Sequence, residues 1–100
     1  MIFQHTYQLV LSGRKTQTRR IRPPRVTVGR SYAVQPGRGK KSVGRIVVTG
    51  VWQERLGDLS EEDARAEGYK TREEFFESWK RIHGSFDPAA EVWVIEFRIG

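Results

Sequence analysis

The first 53 residues contain neither Asp nor Glu. Residues 1–55 carry 12 basic side chains against one acidic one, Glu54, a net +11; residues 56–100 carry 6 basic and 11 acidic, a net −5. Two kinds of fold accommodate such a chain. In one, the surface is bipolar and its basic half faces a polyanion. In the other, the acidic part packs against the basic part and cancels it.

At 100 residues the chain is expected to form one domain, 1–100, with one modest core. Its 37% hydrophobic content argues against whole-chain disorder. No apolar run is long enough to span a membrane. The start, Met1 to Arg14, has no basic residue ahead of its apolar stretch and so is not read as a signal peptide. The absence of cysteine excludes disulfides, thiolate catalysis and cysteine-based zinc sites. The cytoplasm is the expected compartment. His5 and His83 fall near expected helix ends with no ligand set around them, so neither a metal nor a cofactor is expected.

Phe3, Tyr7, Val10 and Leu11 follow helical spacing, and Gly13 stands where a left-handed residue closes a helix. Thr16–Ile21 reads as a strand stopped by Pro23-Pro24. Tyr32–Gln35 and Arg45–Gln53 read as further strands, the second with a bulge at Gly50. Ser60-Glu61-Glu62-Asp63 and Thr71-Arg72-Glu73-Glu74 are capping boxes, closed by Gly68 and Gly84. Phe75, Trp79 and Ile82 make the apolar stripe of the second of these helices. Glu91–Ile99 is the last strand, with Trp93, Ile95, Phe97 and Ile99 on one face. Few short strands with small helices between them give an α+β domain, a small β-barrel with peripheral helices.

The densest chemistry lies in Gly13-Arg14-Lys15-Thr16-Gln17-Thr18-Arg19-Arg20. It is either a solvated edge strand whose cations deter pairing, or an anion pocket with forked Arg donors and Thr hydroxyls. Lys15 and Thr18 converge only if the chain turns near Thr16, because a regular strand would point them to opposite faces. The loop containing Arg38, Lys40 and Lys41 is either a phosphate grip or a floppy hairpin tip. Glu67 precedes a closing glycine, where a carboxylate meets the negative end of the helix dipole. Trp52, Trp79 and Trp93 are assigned to the core, leaving Tyr32 and Phe86 as candidate base-stacking aromatics.

Gly13-x-Lys15-x-x-Thr18-x-Arg20 resembles the signature of the ASCH superfamily, small domains related to PUA-type RNA-binding barrels. The likeness extends through Val28–Tyr32, Asp63–Tyr69 and the terminal strand at Val92–Phe97. One bacterial branch of that family hydrolyses the acetyl amide of N4-acetylcytidine with a Lys, a Thr and a Glu. The resemblance implies Lys15, Thr18 and Glu67 for those roles; charge and aromatic character make Arg14, Arg19, Arg20, Arg38, Lys40, Lys41 and Tyr32 the candidates for binding a modified nucleoside or RNA. Thr18 would attack the acetyl carbonyl, Lys15 would take its proton as a free amine, and Glu67 would orient Lys15 or protonate the leaving amine. Arg20 or backbone amides would hold the oxyanion. A non-catalytic RNA-binding module and a ribonuclease acting on single-stranded RNA are the alternatives within the same resemblance. A monomer or weak dimer is expected. Catalysis requires the three side chains to share one cleft; a solvent-facing Glu67 would end that reading.

Overall fold

The computed structural model describes residues 1–100. Along the chain run α1 (Tyr7–Leu11), β1 (Gln17–Arg20), β2 (Ser31–Val34), β3 (Gly44–Arg55), α2 (Glu61–Ala66), α3 (Arg72–His83) and β4 (Glu91–Ile99), with a short 3-10 turn at Leu56–Asp58 after β3. The strands form one antiparallel sheet in the order β1-β4-β3-β2. The α+β class and the PUA-like architecture hold, with the sheet curled as a half-barrel. The first residues bridge its free side: Ile2 pairs with Gln35 beyond β2, and the Arg20 guanidinium donates to the Ile2 carbonyl at 2.9 Å.

The register passes from Val48 opposite Phe97 to Gly50 opposite Glu96, which puts the bulge where Gly50 predicts it. Ser60 and Asp63 form the expected reciprocal box on α2. Thr71 caps α3 through the Glu74 amide, but the Glu74 carboxylate accepts from Lys70 instead of closing a second box.

Three expectations change. The N-terminal helix is shorter than its periodicity, and Phe3 reaches the core from an irregular segment ahead of it. In β4 the buried residues do not keep to one face: Val92, Val94, Ile95 and Phe97 are all buried, while Ile99 is exposed. Both faces of this central strand are covered, so alternation is lost. Ile82 stands out in solvent, 57% exposed, although Phe75 and Trp79 of the same stripe are buried.

There are two apolar cores. Phe3, Val10, Val34, Ile46, Val48, Ile95 and Phe97 fill the concave side of the sheet. Leu56, Leu59, Ala64, Phe75, Trp79 and Val92 join α2 and α3 to the end of the sheet. No helix is long and apolar enough to cross a membrane.

Candidate active site at the edge of β1

A cleft of about 1160 Å³ opens where the two cores meet. Its lining includes Phe3 from the first core and Phe75 and Trp79 from the second. β1 is an edge strand, and the end of α2 abuts it: the Thr16 amide donates to the Ala66 carbonyl at 2.7 Å. Lys15 lies just before β1, where its amide donates to the Leu9 carbonyl at 3.0 Å. This non-strand backbone lets Lys15 and Thr18 line the same cleft as Glu67.

All three are buried, Lys15 and Thr18 at 5% exposure and Glu67 at 3%. Lys15 Nζ donates to Glu67 Oε1 at 2.8 Å and to the Glu67 backbone carbonyl at 3.1 Å. The ammonium thus satisfies a carbonyl at the C-terminal end of α2 and offsets the unfavourable meeting of carboxylate and dipole there. Arg19 Nη1 holds the other carboxylate oxygen, Glu67 Oε2, at 3.1 Å. No protein group within hydrogen-bond reach engages the Thr18 hydroxyl. Lys15 does not bond it directly.

Arg19, a candidate for the binding surface, stands in the cleft lining and is also built into the fold. Its side chain is 1% exposed and is held by Glu54 at 3.0 Å, Asp63 at 3.4 Å, Glu67 at 3.1 Å and Gln17 at 3.0 Å. It ties β1, β3 and α2 together. Strand alternation separates the two neighbours: Thr18 lies opposite Ile95 and Arg19 opposite Val94, and the Arg19 guanidinium still reaches Glu67 in the cleft. Glu54, the one acidic residue of the first 55, carried a signal for this network. Trp52 donates to its other carboxylate oxygen at 2.7 Å.

Arg20 lines the cleft, with its guanidinium 5.4 Å from the Phe3 ring centre. Burial pulls the Arg20 guanidinium below its ordinary range, and the Glu67 carboxylate works in the opposite direction. Arg14, Arg38, Lys40 and Lys41 are exposed and lie outside the cleft. Tyr32 is on β2, where its hydroxyl accepts from the Thr27 amide at 2.6 Å, and it too lies outside the cleft. Phe86 is stacked 4.5 Å from Phe76, which removes it as a free stacking aromatic. Trp52 and Trp93 are only partly buried, so of the three tryptophans Trp79 alone is a core residue, and it also forms part of the cleft wall.

A curled antiparallel half-barrel, with a helix abutting its edge strand and a buried Lys–Glu pair there, defines a PUA-like domain with a pocket. Residues 2–99 match the ASCH domain family, and the chain belongs to it. No curated protein matches. Among solved structures, a protein from Enterococcus faecalis superposes with a TM-score of 0.72 at 24% identity, over 96% of this chain and 70% of that one. An ASCH domain from Lactobacillus crispatus gives 0.68 at 20% identity, over 93% and 69%. An ASCH protein from Zymomonas mobilis gives 0.72 at 17% identity, over 98% of this chain and 64% of its own length. These likenesses are to the fold.

Proposed function

We propose that the chain is an amidohydrolase that removes the acetyl group from N4-acetylcytidine-type substrates, using Lys15, Thr18 and Glu67. One observation carries the reading: a buried amine 2.8 Å from a buried carboxylate, in a cleft that a buried threonine also lines. A threonine hydroxyl needs a base before it attacks a carbonyl. The Lys15 ammonium, 2.8 Å from Glu67 Oε1, passes a proton to that carboxylate and so becomes the free amine the reaction needs.

The amine then takes the Thr18 proton as Oγ bonds to the acetyl carbon. Collapse of the tetrahedral intermediate breaks the carbon–nitrogen bond, and Glu67 gives its proton to the departing N4 amine. Water, deprotonated by Lys15 after a second proton shift within the pair, opens the acetyl-Thr18 ester, and Glu67 returns a proton to Oγ. Arg20, in the same lining, is the donor for the oxyanion.

Incubation with N4-acetylcytidine tests this. The wild type should release acetate, and Lys15→Ala or Thr18→Ala should lower kcat by about 10²-fold or more. No acetate from the wild type overturns the proposal. A second reading, a non-catalytic RNA-binding module, rests on exposed cations away from the cleft: Arg14, Arg38, Lys40 and Lys41. It predicts RNA affinity that falls steeply with salt and that weakens when Arg38, Lys40 and Lys41 are reversed to Glu.

A further inference from the structure

The cleft is larger than one nucleoside needs. Ligand pockets of about 300–1,000 Å³ already take drug-sized molecules, and this one is about 1160 Å³. It is also long. Its lining on α3 runs from Phe75 to His83, and eight residues of helix at about 1.5 Å each span about 12 Å. Stacked nucleotides repeat every 3.4 Å or so along a strand, so this wall has room for more than one base.

The C-terminal stretch of α3 in this lining has its own chemistry. The His83 ring is exposed and backed by Trp79, with ring centres 4.0 Å apart. The rings are inclined by 35°, so the indole backs one side of the imidazole and leaves the rest exposed to a ligand. Exposed large apolar side chains line the cleft as well: Ile2 at 37%, Ile21 at 57% and Ile82 at 57%, three of the seven on the molecule. Such concentration marks a binding surface. Arg22 and Arg81, both exposed, stand in the same lining. Flat apolar walls with guanidinium groups beside them suit unpaired bases joined by phosphates.

We propose that the cleft continues into a second base subsite on His83, so that the chain takes its acylated cytidine within single-stranded RNA. This rests on the cleft being the nucleoside site proposed above. The neighbouring base stacks on His83 against Ile82, and Arg22 and Arg81 meet the linking phosphates.

The test compares free N4-acetylcytidine, by calorimetry, with a short fluorescein-labelled single-stranded RNA holding N4-acetylcytidine at its centre, by anisotropy. The RNA should bind about tenfold tighter or more. His83→Ala and, independently, Ile82→Asp should each weaken RNA binding several-fold and leave nucleoside affinity unchanged. Equal affinity for the two ligands, no measurable RNA binding, or variants that weaken both alike would overturn the subsite. The two proposals fail separately. RNA that is bound tightly through His83 but never deacetylated removes the hydrolase and leaves the subsite. Nucleoside and RNA turned over with the same kcat/KM remove the subsite and leave the hydrolase.

Discussion

Glu67 holds two buried cations, one on each carboxylate oxygen. Removing its charge leaves Lys15 and Arg19 facing a neutral group in a buried site, and breaking a buried pair in this way costs about 3–5 kcal/mol. Glu67→Gln should therefore lower the urea midpoint sharply. Lys15→Met should cost less, because Arg19 still pairs with the carboxylate. Glu54, whose side chain is 25% exposed, should cost about 1 kcal/mol or less as Glu54→Gln. At this scale the sequence showed which residue types carry chemistry, but not which way they point. Arg19 and Arg20 look equivalent in a basic run. Both stand in the cleft lining, but Arg19 is held by three carboxylates while Arg20 pairs with none, a difference set by where β3 and α2 place their acidic side chains.

The helices were the most legible elements, since their ends are set by local hydrogen bonds. Ser60→Ala removes the acceptor for the Asp63 amide at 3.0 Å and should cost about 1 kcal/mol in thermal or chemical denaturation. Asp63 also reaches Arg19, so the same change loosens the network behind the cleft. Two glycines separate conformational cost from contact. Gly13 has φ +80 with nothing near an added Cβ; Gly68 has φ +100, and a Cβ there would lie 2.8 Å from Leu9 Cδ1. Gly13→Ala and Gly68→Ala should each lose about 1–2 kcal/mol for the left-handed backbone. Only Gly68→Ala should also raise KM for N4-acetylcytidine, because Leu9 forms part of the cleft wall. The apolar stripe of α3 stops short of Ile82 because periodicity reports a face, not how far the opposing core extends along it. Lys15 and Thr18 are illegible as a pair for a similar reason: the backbone ahead of β1 follows its bonds to Leu9 in the preceding helix and to Ala66, far along the chain.

Across the whole molecule, the charge division is reconciled by packing. Carboxylates of the acidic half, Asp63 and Glu67, enter the basic half and meet Lys15 and Arg19, while Arg14, Arg38, Lys40 and Lys41 stay in solvent. The cancelling reading holds for the buried residues, and the exposed cations are the ones left for the proposed polyanion surface. High salt should therefore leave the unfolding midpoint nearly unchanged, because buried pairs are poorly screened, yet weaken RNA binding by the exposed cations. A midpoint that tracks ionic strength would contradict the buried network. The strand order adds a constraint in time. β1 pairs only with β4, the last strand to be made. When Glu67 leaves the ribosome, Lys15, Thr18 and Glu67 all exist, but the strand that carries Thr18 still has no neighbour. The pocket is assembled last, so a nascent chain cannot engage its ligand before synthesis has run through β4.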